Sequence, residues 1–149
     1  MAFHNVLARR LTALTGVAVA AIGLLAPVPA HAESCTAALS FVRLTSATGE
    51  FVDSRCGDRT LEVPRDSDIQ ISASVRPNST LRIVFHAPNK QGGQEILHIH
   101  ETTTTTGLID DHCKSHDAAP ADINAATADV RWQPVNGLGN MQVTVHFGH

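Results

Sequence analysis

Short segments in which apolar and polar side chains alternate run through most of this sequence. In residues 69–75 the apolar side chains stand at every second position, and residues 81–86 repeat the pattern. Because successive side chains of a β-strand point to opposite faces of a sheet, this period of two predicts strands with one buried face. The predicted strands are 37–44, 59–63, 69–75, 81–86, 95–101, 102–106, 130–135 and 141–147.

The spacing of these segments constrains the fold class. Turn-forming residues separate them, as in Asn136-Gly137-Leu138-Gly139. Only residues 117–129, which are rich in alanine and contain Pro120, favour a short helix. The pattern predicts a single all-β domain, either a small antiparallel β-sandwich or a Greek-key barrel, with one His- and Cys-containing loop at residues 110–116.

The first 32 residues have the composition of a secretory signal peptide. Arg9-Arg10 precedes a mainly apolar run at 11–25, and Ala30-His31-Ala32 is a small-x-small cleavage site. The run is shorter than the ~20 residues that a membrane-spanning helix needs, which favours a cleaved leader over an anchor. A twin-arginine signal is the alternative for Arg9-Arg10, although the residues that follow fit it poorly. We expect a domain at 33–149 that is secreted, periplasmic or held at the cell envelope, without a membrane span.

Charge and aromatic content argue against nucleic acid as a partner. The full chain has a net charge of −3. Without the leader, nine Lys and Arg remain against 14 Asp and Glu, a net charge of −5. Such a surface does not neutralise phosphates. Five Phe, one Trp and no Tyr also leave few side chains on which bases could stack.

Three cysteines occur in this chain. Export to an oxidising compartment favours one disulfide and leaves one sulfur over. Cys35–Cys56 closes a short loop and would contribute roughly 3 kcal/mol in the loop-entropy account. Cys35–Cys113 and Cys56–Cys113 stay open as alternatives, because sequence alone does not determine connectivity.

Histidine is the most informative residue type here, with nine in the chain and seven after the leader. Leu97 and Ile99 are expected to point inward, so His98 and His100 are expected on the outward face. His-x-His on a strand presents two imidazoles on the same side. Four histidines lie opposite apolar residues on predicted strands: His86, His98, His100 and His146.

Residues 110–116 offer the second half of a metal site. The segment holds two carboxylates, two imidazoles and a thiol within seven residues. Imidazole binds copper, zinc, iron and nickel well, and copper is favoured, with zinc as the alternative. A cupredoxin-type copper site and a structural zinc site at Cys113 are the other options. The predicted ligands are His98, His100, His112, Cys113, His116 and His146.

A family resemblance supports copper. Residues 94–101, Gln-Glu-Ile-Leu-His-Ile-His-Glu, resemble the G-x-H-x-H-E copper-binding strand of the copper/zinc superoxide dismutases. Cys113 and His116 follow in the family's order, and residues 139–146 are similar to its last copper-binding strand. The resemblance implies an antiparallel β-barrel with copper on His98, His100, His116 and His146. The family's remaining zinc ligands and substrate-guiding Arg have no evident counterpart, so the resemblance supports copper binding more than dismutation.

Two functions follow. The first is a secreted, metal-binding β-protein, with copper as the favoured ion, that sequesters or delivers the ion or carries superoxide-dismutase-like redox chemistry. The second is a metal-free, disulfide-stabilised module that binds a protein partner as an inhibitor, adhesin or envelope-surface protein. The sequence contains no G-x-S-x-G motif and no glycine-rich phosphate loop. Enzymatic activity is therefore left open.

Overall fold

Two β-sheets packed face to face form the described part of the chain. The computed structural model describes residues 35–148. The predicted signal peptide and the C-terminal His149 lie outside the described residues. The elements are β1 (Phe41–Thr45), β2 (Phe51–Asp53), β3 (Thr60–Pro64), β4 (Asp68–Ser74), β5 (Ser79–Pro88), β6 (Gln94–Thr104), β7 (Leu108–Lys114), α1 (Ser115–Ala118), β8 (Ala125–Trp132) and β9 (Gly139–Gly148).

The four-stranded sheet has the order β2-β1-β4-β7, and the five-stranded sheet has the order β3-β9-β8-β5-β6. Neighbouring strands run antiparallel except β3 and β9, which are parallel. Within residues 35–148 neither sheet closes on itself, so of the two predicted architectures the fold is the β-sandwich and not the barrel. No helix in the described residues has the length and apolar character to cross a membrane.

Period-two alternation builds the core between the sheets. In β4 the residues Ile69, Ile71 and Ala73 are buried, and in β5 Leu81, Ile83 and Phe85 are buried. The two sets face each other and interdigitate as in other sandwiches. Val143 and Val145 of β9 extend the same cluster. The apolar faces predicted from sequence are therefore the faces that pack together.

β2 was not predicted, the strand predicted at 130–135 is the end of β8, which stops at Trp132, and three further segments differ from their predicted structure. Residues 110–114 belong to β7 and are not a loop. The segments predicted as 95–101 and 102–106 form one strand, β6. In the stretch predicted to be helical, 117–129, only Asp117 and Ala118 belong to the four-residue α1, and β8 begins at Ala125. In each case pairing with a neighbouring strand outweighs local composition.

A tight turn links β6 in one sheet to β7 in the other. Gly107 has a φ of +89°, and a Cβ there would lie 2.4 Å from the carbonyl oxygen of Val75. The Val75 N–H donates to the Gly107 carbonyl over 2.7 Å. The Thr104 hydroxyl closes the turn by accepting from the Gly107 N–H and donating to the Leu108 carbonyl. The absence of a side chain at Gly107 thus brings β6 and β7 to the same side of the sandwich.

The disulfide joins Cys35 and Cys56, as predicted from loop length. Near it, the fully buried Asp53 binds two arginines, at 2.9 Å from Arg43 Nε and 2.7 Å from Arg55 Nη2. Burial alone would raise the pKa of Asp53. The hydrogen bonds from Arg55 and Arg43 outweigh that effect and lower the pKa to about 2. This ion cluster fixes the segment that carries Cys56.

The Asp53 cluster predicts a pH dependence of stability. The folded pKa lies below the ordinary value of 3.8, so the stabilisation is fully present above about pH 4. It is lost as the pH falls towards 2, where the carboxylate takes up a proton. The difference between the folded pKa and the ordinary pKa of Asp53 corresponds to about 2 kcal/mol in the free energy of unfolding. Urea unfolding of the wild type and Asp53→Asn should differ by about that amount at pH 7 and converge near pH 2. A constant difference across this range would contradict the account.

Candidate metal-binding edge

β6 and β7 form one open side of the sandwich. β6 is the last strand of the five-stranded sheet, and β7 is the last strand of the four-stranded sheet. Side chains on the inner faces of these edge strands lie beside the core and still reach solvent. This is where the structure brings together part of the residue set predicted from sequence.

The strand register shows which way the β6 histidines face. His98 is opposite Phe85, and His100 is opposite Ile83. Directly opposite residues in an antiparallel pair share a face of the sheet. Phe85 and Ile83 are fully buried, so both imidazoles lie on the inner face. Ile99, between them, is 39% exposed on the outer face.

The prediction that His98 and His100 point outward, with Ile99 inward, was therefore wrong. At the edge of a sheet, an inner-face side chain is only partly covered, so an imidazole can lie there without losing contact with water. Leu97 packs against the core at a β-bulge opposite Phe85 and His86, where β6 carries one extra residue. The bulge places two consecutive residues, Leu97 and His98, on the same face of the sheet. Strict alternation counted from the inward-facing Leu97 therefore predicts the wrong face for both histidines.

Asp111 of β7 holds His100 from the other sheet. Asp111 alternates with the buried Ile109 and Cys113, so its carboxylate also faces inward. Its Oδ2 atom lies 2.7 Å from His100 Nε2. It also accepts a short hydrogen bond from the hydroxyl of Thr102, whose oxygen lies 3.4 Å from His100 Nε2. The open side is thus bridged by a polar contact between the sheets.

The ionisation of Asp111 determines the tautomer of His100. Burial alone would raise the pKa of Asp111, but the hydrogen bonds from Thr102, His100 and the His112 backbone outweigh it and lower the pKa. An ionised carboxylate can only accept, so His100 donates from Nε2. In the neutral imidazole, the lone pair is then on Nδ1. That atom is a ready ligand for a metal ion.

His98 completes the inner face of β6. Its ring centroid lies 6.3 Å from that of His100, with a 39° angle between the ring planes. It lies the same distance from the Phe85 ring. Within residues 35–148, these ring contacts are the interactions of the imidazole, and none of its ring nitrogens makes a hydrogen bond. Its nitrogens are therefore not committed to other groups of the described chain.

The other predicted histidine ligands lie elsewhere. His146 is on the outer face of β9, with Nδ1 2.7 Å from Glu62 Oε1. His112 points out from β7 and is exposed. His116 is exposed on α1 beside Asp117, 3.3 Å away. In the described part of the chain, no three His, Cys, Asp or Glu side chains are grouped to hold a metal ion.

A further histidine on the outer face has both ring nitrogens engaged. His86 Nε2 lies 2.5 Å from Asp129 Oδ2, and its Nδ1 lies 2.9 Å from Gln94 Oε1. The other Asp129 oxygen accepts from Gln142 Nε2 over 3.0 Å. The sequence suggested the outward face of His86 correctly. Its two partners come from different strands, Asp129 from β8 and Gln94 from β6, and their pairing could not be read from the sequence.

Cys113 is placed poorly for a role as a ligand. The thiol is buried between the sheets and is not disulfide-bonded. Burial, followed by the negative charges of Asp111, Asp117 and Asp68, raises its pKa to about 12. Metals bind the thiolate, which this environment disfavours. Cys113 behaves as a small apolar core residue.

The burial of Cys113 predicts a specific reactivity. A water-soluble maleimide at pH 8 should label the folded chain at least 100-fold more slowly than the chain unfolded in guanidinium, because the thiolate fraction is small and the sulfur is covered. Mass spectrometry of the intact protein counts the labels. Rapid single labelling of the folded protein would contradict the buried, protonated thiol.

No protein-family model matches this chain, and no curated protein or solved structure matches it either. The resemblance to copper/zinc superoxide dismutases therefore stays a prediction.

Proposed function

We propose that the protein is an exported β-sandwich that binds a transition-metal ion through His98 and His100, for sequestration or delivery of the ion. The observation that carries the proposal is the pair of imidazoles on the inner face of β6, with ring centroids 6.3 Å apart. Asp111 supports His100 from the neighbouring strand. A carboxylate that accepts the second ring N–H is the usual partner of a metal-binding histidine.

The donor set favours copper. Both candidate donors are imidazole nitrogens, and the Cys113 thiol is protonated in the core. For sites of this kind, affinity among divalent first-row metals is highest for Cu(II). Zinc is the second candidate, because it accepts imidazole ligands readily and is abundant. The Cys35–Cys56 disulfide supports an oxidising compartment, where exported metal-binding proteins act.

The proposal is limited to ion binding. The resemblance implied four histidines at one copper ion. His146, however, lies on the outer face of β9, which two strands, β8 and β5, separate from β6 in the sheet order. The ligand set that the geometry supports is therefore His98 and His100, with the remaining positions filled from outside this one chain. Superoxide-dismutase-like chemistry would need further ligands.

Titration of the secreted chain with Cu(II) and Zn(II), followed by calorimetry and metal analysis, tests this proposal. The His98→Ala/His100→Ala variant should lose at least 100-fold in affinity, because both donors are gone. His146→Ala is the matched control, since it removes an exposed imidazole from the other face, and it should keep wild-type affinity. Equal binding by the double variant, or loss of binding in the control, would overturn the proposal.

Asp111 offers a finer test of the same site. Asp111→Asn should weaken metal binding 10- to 100-fold, the usual effect of removing a carboxylate behind a histidine ligand. It should also allow the neutral His100 ring to adopt either tautomer, because an amide can donate as well as accept. The imidazole signals in a long-range ¹H–¹⁵N NMR spectrum report this change. Unchanged affinity and an unchanged tautomer would show that Asp111 has only a structural role.

A second candidate function, a partner-binding module, is favoured by one observation. Exposed apolar side chains collect at one end of the sandwich, where loops 75–78, 105–107 and 133–138 meet. Backbone hydrogen bonds of 2.7 Å tie these loops together, from Val75 to Gly107 and from Arg76 to Gln133. The exposed residues at this end are Leu39, Leu108, Val135 and Leu138.

This surface can be tested independently of the metal site. Exposed apolar groups at loop ends commonly contact protein partners. If this end binds a partner at the cell envelope, Leu39→Ser/Leu138→Ser should shift the protein from the cell-bound to the soluble fraction of the producing culture. Val84→Ser, on the half-buried outer face of the same domain, is the control. Unchanged partitioning of the double variant would count against this function.

A further inference from the structure

β6 is an edge strand with the properties of a pairing surface. It is 11 residues long, contains no proline, and is rich in β-branched residues. Within residues 35–148, only β5 pairs with it, so its other edge is free of strand partners. Long edge strands of this kind readily accept another strand.

One copy of this edge is an incomplete metal site. Structural sites for zinc and many sites for copper use four protein ligands, whereas the inner face of β6 offers two imidazoles. A molecule that lies along β6 can supply the missing donors. A strand that pairs with β6 would place its own side chains directly opposite His98 and His100.

A second copy of β6 supplies the right donors in one register. If two copies pair antiparallel about a two-fold axis at Ile99, each His98 lies opposite the partner copy's His100. On the outer face, each Ile99 then covers its counterpart. This removes from water an apolar side chain that is 39% exposed in one copy. Residues opposite each other in such a pair have Cβ atoms about 4.5–5.5 Å apart.

The neighbouring registers are less favourable. A two-fold axis at Glu101 would place two like charges directly opposite each other, which destabilises a strand pair. An axis at His100 would place each exposed Ile99 against a Glu101 carboxylate. The register centred on Ile99 matches apolar with apolar and imidazole with imidazole, and a two-fold axis makes the contact self-complementary.

We propose that two copies of this chain pair through β6 about Ile99, and that one transition-metal ion binds between them on His98 and His100 of both copies. The inference rests on the proposed metal-binding function and names the partner that completes the site. In each copy, Asp111 holds His100 by its Nε2–H and directs Nδ1 towards the ion. The four imidazoles come from two strands of one continuous sheet, and the site forms only when both copies are present.

The first experiment measures mass and metal content together. Light scattering after size-exclusion chromatography should show the wild-type mass doubling when Zn(II) is added and returning to the monomer value with EDTA. Metal analysis should give one ion per two chains. His98→Ala/His100→Ala should stay monomeric at all zinc concentrations, while His146→Ala should dimerise as the wild type does.

Other results distinguish the shared site between two copies from the proposed metal-binding function on which it rests. Zinc bound at one ion per chain without dimerisation would overturn the shared site and leave the proposed function intact. No zinc or copper uptake would overturn both. A dimer that persists in EDTA and in His98→Ala/His100→Ala would show that the metal does not join the copies, and would also overturn the shared site.

Cross-linking tests the register itself. Under mild oxidation in the presence of Zn(II), which is redox-inactive, Ile99→Cys should form a disulfide-linked dimer. The expected Cα separation across the axis is about 4.5–5.5 Å, within disulfide range. Thr103→Cys is the control, since it is exposed on the same face. Its counterpart would lie about 27 Å away along an antiparallel pair. Cross-linking of Thr103→Cys, or none of Ile99→Cys in the zinc-loaded dimer, would overturn this register.

Discussion

The hydrogen bond between Asp111 and His100 joins the two sheets at the open side of the sandwich. It spans β7 and β6, which follow each other in the chain and belong to different sheets. The bond needs a carboxylate that faces the interior of the sandwich, which is unfavourable without a partner. Thr102 and His100 provide the partners and keep Asp111 ionised. This contact links the two edge strands, orients the His100 ring and selects the tautomer of its neutral form.

Three of the histidines that lie on strands contact a carboxylate. His86 contacts Asp129, His100 contacts Asp111, and His146 contacts Glu62. Two of these pairs lie on the outer face of the five-stranded sheet. There they connect neighbouring strands, and the half-exposed His146 pair adds little stability. His98 differs, because its ring contacts in the described chain are with other rings. His98 and His100 differ from His86 and His146 in that they lie on the inner face of the sheet, although all four looked equivalent in the sequence.

Much of the fold could be predicted from the sequence, because strand alternation and turn residues are local signals. The buried faces of β4, β5 and β9 follow directly from their period of two. The β7 strand was missed because Asp111 and His112 made it look like a polar loop. Ile109, Asp111 and Cys113 nonetheless stand at every second position, which is the spacing of an inward-facing side of a strand. The facing of His98 and His100 could not be predicted, since it depends on the register with β5 and on a bulge. Neither of these has a local sequence signal.

The most direct test of metal binding at β6 follows the histidine rings themselves. A long-range ¹H–¹⁵N NMR spectrum of the purified protein, recorded during titration with Zn(II), reports the tautomer and ligation of each imidazole. We expect His100 to start as the Nε2–H tautomer and the nitrogens of His98 and His100 to shift with zinc, while those of His146 do not. Zinc-dependent shifts at His146 or His116, with His98 and His100 unchanged, would contradict metal binding at β6.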